Sequence, residues 1–114
     1  MAKVLISPGK YVQGAGEMKK LGEYAQNYGK KALILISKGG YKRIGAMVEK
    51  SFEGKECGYV FDYFNGECSK KEIKRLGEIV KKEACDVVIG IGGGKIFDTA
   101  KAVARSEEHT SELQ

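Results

Sequence analysis

The chain is 114 residues long and 42% hydrophobic, which suits one compact domain and excludes two full domains. Its formal net charge is +5, but the lysines are interspersed with glutamates, as in 70–75 and 81–83, a pattern typical of solvated helix faces and not of a nucleic-acid-binding surface. No apolar run approaches the roughly 20 residues that span a bilayer, and the first residues do not resemble a signal peptide, so we expect a cytoplasmic protein without a nucleic-acid or membrane partner.

The first third of the chain predicts an extended pair, a helix and a buried strand. Apolar residues 4–6 and 11–12 flank the turn-forming 7–9 segment, which indicates two strands around a turn. An amphipathic helix is predicted to end at Gly29, and its apolar positions are Met18, Leu21, Tyr24, Ala25 and Tyr28. The continuous apolar run 32–36 then favours a parallel strand that is covered on both faces.

The rest of the chain alternates helix and strand. A helix is predicted from Ile44, Met47, Val48 and Phe52, and a strand over 58–63 follows it. Ser69 and Glu72 form a capping box for the next helix, whose apolar positions are Ile73, Leu76, Ile79 and Val80. A strand is predicted over 87–90, and the last helix carries Ala100, Val103 and Ala104.

This alternation predicts a doubly wound α/β fold, with a mostly parallel, Rossmann-like sheet and helices on both faces. Ligands of such sheets bind beyond the carboxyl ends of the strands. Three loops are expected there, namely 37–41, 64–68 and 91–95.

The glycine cluster after the 87–90 strand has the layout of a phosphate-binding loop. Gly92, Gly93 and Gly94 have no Cβ atoms, so backbone N–H groups can approach an anion at the positive end of the following helix. The G-x-G-x-x-G pattern does not fit, because its third glycine would fall on Lys95 or Phe97. The Walker A pattern does not fit either, because it would need Gly at 89 and Ser or Thr at 96. The alternative, that the glycines only form a tight turn, stays open.

Residues 90–104, GIGGGKIFDTAKAVA, resemble the nucleotide loop of the iron-containing alcohol dehydrogenase family, and in particular of its glycerol dehydrogenase branch. Segments 7–14 and 64–69 resemble the same branch in the same order. The resemblance covers most of residues 1–104, and it implies that they form the dinucleotide-binding domain, without the helical domain that follows it in the family.

The resemblance implies metal-assisted hydride transfer from glycerol, or a related polyol, to NAD, which yields dihydroxyacetone. It also implies a homo-oligomeric full-length enzyme with a divalent metal, zinc, whose ligands, one Asp and two His, come from the helical domain. Residues 1–104 alone are therefore expected to show no turnover and at most weak cofactor binding. The implied cofactor-binding residues are Gly92, Gly93, Gly94, Lys95, Ile96, Phe97, Asp98 and Ser37.

Two positions depart from the family pattern. Ser37, followed by Lys38, stands where many relatives have the Asp that accepts hydrogen bonds from the adenosine ribose, which leaves NADP open as the cofactor. Ile96 stands where many relatives have Thr. Two other interpretations also remain open: a different polyol or diol dehydrogenase or a dehydroquinate synthase-like enzyme, and a non-catalytic nucleotide-binding module.

The last ten residues, 105–114, are predicted to be non-native. RSEEHTSELQ is the in-frame translation of a common sequencing-adapter oligonucleotide and does not resemble the family, although a natural polar tail is the alternative. The histidine of the chain, His109, lies in this segment, so no catalytic or metal-ligating residue is predicted. The three cysteines, Cys57, Cys68 and Cys85, are not spaced as a C-x-x-C pair. Their number and spacing therefore favour neither a disulfide framework nor a zinc site.

Overall fold

A computed structural model describes the backbone of residues 3–7, 10–13 and 19–113, and the side chains of 19–105. Its elements in chain order are β1 (Lys3–Ser7), β2 (Lys10–Gln13), α1 (Leu21–Ala25), β3 (Lys31–Ile36), α2 (Lys38–Ser51), β4 (Gly58–Tyr63), α3 (Lys70–Lys82), β5 (Val87–Gly92) and α4 (Gly94–Leu113). The strands form one sheet in the order β2-β1-β5-β3-β4.

The sheet has a parallel part and an antiparallel part. β3 pairs in parallel with β4 on one side and with β5 on the other. β1 pairs antiparallel with both β2 and β5, so the predicted extended pair is a hairpin on the flank of the parallel strands. The predicted α/β fold with parallel strands is confirmed, and the hairpin adds an antiparallel edge.

Helices cover both faces of the sheet, as the doubly wound prediction requires. On one face, Leu21 of α1 and Val48 of α2 pack on Ile34 and Ile89. On the other face, Leu76 of α3 and Val103 of α4 belong to a second core. The inner residues of β3 serve both cores, and residues 32–36 are at most 1% exposed, which accounts for the uninterrupted apolar run.

Two predicted helices differ in detail. The first helix is only Leu21–Ala25, preceded by a 3₁₀ turn at 19–20, and the predicted apolar position Met18 lies outside the described residues. In α2, Met47 does not lie on the buried stripe: it is 38% exposed, because the residues that turn inward are Gly40, Gly45, Val48 and Ser51.

Helix α4 continues to Leu113, so the 105–114 segment is helical up to that residue. The non-native origin of this segment stays a prediction.

The carboxyl ends of the parallel strands lie level with each other. Ile36 of β3 pairs with Tyr63 of β4 and with Ile91 of β5. The chain leaves β3 toward the α2 face and leaves β5 toward the α4 face, so these two strand ends flank the topological switch point, where sheets of this kind bind ligands. In the described part of the chain, no helix is long and apolar enough to cross a membrane.

Candidate functional site

The first glycines of the cluster are required by packing and by backbone conformation. A Cβ on Gly90 would lie 3.1 Å from the Cβ of Ala100 and 3.3 Å from Cγ2 of Ile96, so this glycine lets α4 pack closely on β5. Gly92 has φ +146°, a conformation that side-chain-bearing residues rarely adopt. Gly90 is therefore explained by the packing of α4 on β5, and Gly92 by the backbone of the strand-to-helix turn.

Gly93 and Gly94 are different, because neither packing nor conformation requires a glycine there. A Cβ built on either residue meets nothing within 4 Å, neither residue has a positive φ, and both are exposed. The tight-turn interpretation thus accounts for Gly92 but not for these two. Their missing Cβ atoms leave space at the surface for a ligand that approaches the backbone.

This open space lies at the N-terminus of α4. The Phe97 N–H donates to the carbonyl oxygen of Gly93 at 3.1 Å, so Gly93 directly precedes the helix. The amides of 94–96 belong to the first helical turn and have no intrahelical acceptor. Unpaired amides and the positive end of the helix dipole together suit a phosphate group.

Two charged side chains flank the same turn. Lys95 is 67% exposed, and its Nζ lies 3.4 Å from Oε1 of Glu67, which belongs to the loop after β4. Asp98 is exposed, and among the described side chains it has no hydrogen-bond or ion-pair partner. Lys95 can add positive charge beside a phosphate, and Asp98 can accept hydrogen bonds from a ligand.

The side chains of Ile96 and Phe97 point into the core instead of toward solvent. They are 6% and 7% exposed and belong to the core beneath α3 and α4. Ile96 could therefore contribute to a ligand only through its backbone amide, whereas the amide of Phe97 already donates to Gly93. Among the predicted cofactor residues, these two support the loop by packing their side chains into the core.

Ser37 lies on the other side of the switch point, at the end of β3. It follows Ile36, the register partner of Ile91, and its Oγ accepts a hydrogen bond of 3.0 Å from the Gly40 amide as the N-cap of α2. The first turn of α2 contains no acidic residue. The structure thus brings Ser37 to the same edge of the sheet as the 92–98 segment.

An ion pair beside this edge, between the buried carboxylate of Glu72 and the exposed guanidinium of Arg75, escaped the sequence analysis. Ser69 caps α3 as predicted, because its hydroxyl accepts from the Glu72 amide at 3.1 Å. The Glu72 carboxylate, however, does not complete a capping box. It is 1% exposed and accepts hydrogen bonds from Nε and Nη2 of Arg75 at 2.8 Å each. It also accepts a hydrogen bond from the Asn65 amide at 3.2 Å. The hydrogen bonds from Arg75 lower the pKa of Glu72 although burial opposes them.

Arg75 links this pair to the end of β4. Its guanidinium also donates to Oδ1 of Asp62 at 2.9 Å and to the carbonyl oxygen of Tyr63 at 3.2 Å. These contacts fix the start of the loop after β4, which contains Glu67, the ion-pair partner of Lys95. The available sequence signal was the i,i+3 spacing of Glu72 and Arg75, which is common on solvated helix faces and did not single the pair out.

Residues 8–114 match the model of the family described as "Iron-containing alcohol dehydrogenase". The chain belongs to the iron-containing alcohol dehydrogenase family. The resemblance to this family is thereby confirmed.

Within this family, the chain is similar to glycerol dehydrogenases. It is 43% identical over 106 residues to the "Glycerol dehydrogenase" of Escherichia coli O6:H1 and 44% identical over 111 residues to that of Thermotoga maritima, covering 91% of this chain in both cases. A solved structure, "Crystal structure of a probable glycerol dehydrogenase from Sinorhizobium meliloti 1021", matches 87% of this chain and 26% of its own with a TM-score of 0.70 and 34% identity. The chain spans about 28% of the length of the curated relatives it matches.

The metal that the family name implies has no ligand set in the described part of the chain. No group of three or more His, Cys, Asp or Glu side chains in that part could hold a metal ion. Cys57 and Cys85 are buried, and Cys68 is exposed in the loop after β4.

Proposed function

We propose that this chain is the nucleotide-binding part of an NAD-dependent polyol dehydrogenase of the glycerol dehydrogenase type. The pyrophosphate of NAD would lie at the switch point between the ends of β3 and β5, over Gly93 and Gly94. The single observation that carries the proposal is that these two exposed glycines have open space at their Cβ positions and no conformational need to be glycine. Family membership and the position at the carboxyl edge of the sheet support it.

Each residue of the site has a role in binding the cofactor. The amides of 94–96 would donate to the pyrophosphate, and the Lys95 ammonium would add a charge that attracts it. Asp98 at the first turn and the Ser37 hydroxyl can hydrogen-bond polar groups of the nucleotide. Gly92 shapes the loop through its backbone conformation, and Ile96 and Phe97 shape it through their packing in the core.

The cofactor, when bound, would supply the hydride acceptor for oxidation of a polyol at its secondary alcohol carbon, which for glycerol would give dihydroxyacetone, the hydride passing to the nicotinamide and the hydroxyl proton to solvent. The described residues orient the cofactor for this step, and none of them is proposed to bind a metal or to move the alcohol proton. Glycerol or a related polyol is the proposed substrate, and Ser37 leaves NADP open beside NAD. For the full-length enzyme we propose a homo-oligomer in the cytoplasm.

The test is an amide NMR titration of the 114-residue chain with NAD at millimolar concentrations, where weak binding is still visible. We expect the largest chemical-shift changes at 93–96. Gly94→Ala should weaken binding at least about tenfold, because its methyl group occupies the space of the pyrophosphate. Gly58→Ala is the matched control: its Cβ would meet only ordinary contacts at 3.9 Å, at the opposite edge of the sheet.

Two results would contradict the proposal. Shift changes confined to the amino edge of the sheet would place the ligand elsewhere, and equal affinity of the Gly94→Ala variant and the unsubstituted chain would remove the role of the open space. Glycerol oxidation is expected to be absent with this polypeptide alone, since the substrate and metal residues would lie outside it. Measurable NADH formation from glycerol would refute that last expectation.

A further inference from the structure

A series of contacts connects the buried carboxylate of Glu72 to the proposed phosphate site. Glu72 Oε2 accepts a hydrogen bond from the Asn65 amide at 3.2 Å, and Asn65 Oδ1 accepts one from the Glu67 amide at 3.0 Å. Oε1 of Glu67 in turn lies 3.4 Å from Nζ of Lys95. Helix α3 is thus linked to the first turn of α4 through the loop after β4.

The first contact of this series is firmly held, because Glu72 itself is fixed. Its carboxylate is 1% exposed, and Arg75 donates to it twice at 2.8 Å. The same guanidinium donates to Asp62 and to the carbonyl oxygen of Tyr63 at the end of β4. A buried carboxylate is costly unless hydrogen bonds compensate it. The Asn65 amide therefore donates to an acceptor whose position is set by both α3 and β4.

The last contact, in contrast, joins two surface side chains. Lys95 and Glu67 are 67% and 74% exposed, and an isolated pair of this kind contributes little to stability, because two mobile side chains must be held in one geometry. Here the backbone of Glu67 is held by the Asn65 side chain, which accepts from the amide two residues later as in an Asx turn. A negative charge is thereby kept beside the lysine that would attract phosphate.

We propose that Glu72 is a positioning residue of the phosphate site: through Asn65 it keeps the Glu67 carboxylate beside Lys95, which lowers the affinity of the site for phosphate. The inference rests on the proposed function and adds the residue that sets the charge at this site. A carboxylate held next to the Lys95 ammonium offsets its attraction for an anion, whereas a carboxylate released into solvent is screened by water and salt.

The experiment is a double-mutant cycle, with inorganic pyrophosphate as the probe in low-salt amide NMR titrations of the full 114-residue chain. Asn65→Ala interrupts the series within the exposed loop and should tighten pyrophosphate binding about twofold, the size of effect expected from releasing a surface ion pair. In the Glu67→Gln background, Asn65→Ala should leave the affinity unchanged, because the carboxylate that it positions is already gone.

Glu72→Asp tests the start of the series without changing the net charge. The shorter side chain keeps its carboxylate beside Arg75 but withdraws it from the Asn65 amide, so the same twofold tightening is expected, again only where Glu67 is present. Glu78→Asp makes the matched change at an exposed position of the same helix and should leave pyrophosphate binding unchanged.

Two further measurements distinguish positioning from a general loss of stability. The twofold gain should vanish near 1 M salt, where the screening length is about 3 Å, whereas a structural defect would persist there. Amide hydrogen exchange at Glu67 should become faster in Asn65→Ala and in Glu72→Asp, because its acceptor is removed or released.

The outcomes separate this inference from the proposed function. Unchanged pyrophosphate affinity in Asn65→Ala, or a gain that persists in the Glu67→Gln background or in 1 M salt, would overturn the inference while pyrophosphate shifts at 93–96 still supported the phosphate site. Absence of those shifts would instead refute the proposed function, and this inference with it.

Discussion

The two edges of the parallel sheet are completed in different ways. At the amino edge, the Asp86 carboxylate accepts hydrogen bonds from the backbone amides of Lys30 and Lys31 at 2.9–3.0 Å, and Lys31 Nζ lies 3.0 Å from Glu83. At the carboxyl edge, Gly93 and Gly94 face open space. The protein satisfies the first edge with its own contacts, whereas these two glycines of the second edge have open space, where we propose that a ligand binds. Stability and binding should therefore respond to substitutions at different edges.

The largest effect is expected for Asp86→Ala at the amino edge. It removes a charged acceptor shared by two backbone amides and should lower the free energy of unfolding by about 2 kcal/mol, measured by urea denaturation. Pyrophosphate shifts at 93–96 should persist in the folded variant. The matched substitution at the carboxyl edge, Asp98→Ala, should cost less than about 1 kcal/mol, because only a helix-dipole interaction is lost. A larger loss at Asp98 than at Asp86 would reverse the comparison.

Alkaline pH should weaken the amino edge through Cys85. Burial raises the pKa of the Cys85 thiol to about 11, whereas an unfolded cysteine ionises at about 8.5. Below the lower value the thiol is neutral in both states and its contribution to stability is complete. As the pH rises toward 11, the unfolded state loses the proton first, so this contribution is lost.

Urea midpoints measured from pH 7.5 to 11 test this dependence. Because other groups also titrate in this range, the informative quantity is the difference between variants. Cys85→Ala should show a shallower decline than the unsubstituted chain, whereas Cys68→Ala, at an exposed position, should keep the full decline. Identical slopes in all three proteins would exclude the Cys85 thiol as the cause.

Gly94→Ala should separate stability from binding at the carboxyl edge. Its methyl group meets no neighbour, and alanine is the better helix former, so the free energy of unfolding should be unchanged or higher by up to about 1 kcal/mol. Gly90→Ala, four residues earlier, should instead lose about 1 kcal/mol by crowding Ala100 and Ile96. Thermal denaturation of both variants gives the comparison, and a destabilised Gly94→Ala would mean that this glycine is structural.

Hydrophobic patterning was enough to predict the parallel strands and the edge where their loops meet. Residues 32–36 are buried on both faces, so their uninterrupted apolar run correctly indicated a strand that is covered on both sides. The 58–63 strand was predicted with its observed bounds. The rule that parallel strands share one carboxyl edge then predicted where the connections lie, and Ser37 and the 92–98 segment do lie there. Two of the predicted loops, 37–41 and 91–95, are however shorter than expected, because α2 begins at Lys38, β5 ends at Gly92 and α4 begins at Gly94.

Features that depend on three-dimensional neighbours could not be read in this way. The family resemblance marks Ile96 and Phe97 as part of the loop, but only the packing of α4 on β5 shows that their side chains turn inward. The reach of Glu72 to the Asn65 amide depends on how the 64–69 loop folds back on α3. Equal periodicity likewise gives no indication that Met47 is exposed while Val48 is buried.

The smallest effect is expected at Glu67, which pairs with Lys95 on the surface. Both side chains are more than two-thirds exposed, so Glu67→Gln should change the free energy of unfolding by less than about 0.5 kcal/mol. It should, however, tighten pyrophosphate binding a few-fold at low salt, because a negative charge next to the phosphate site is removed. This gain should vanish near 1 M salt, where the screening length is about 3 Å. Glu53→Gln makes the same charge change after α2 at the amino edge, so equal tightening in that variant would show that net charge, and not the position beside Lys95, controls the affinity.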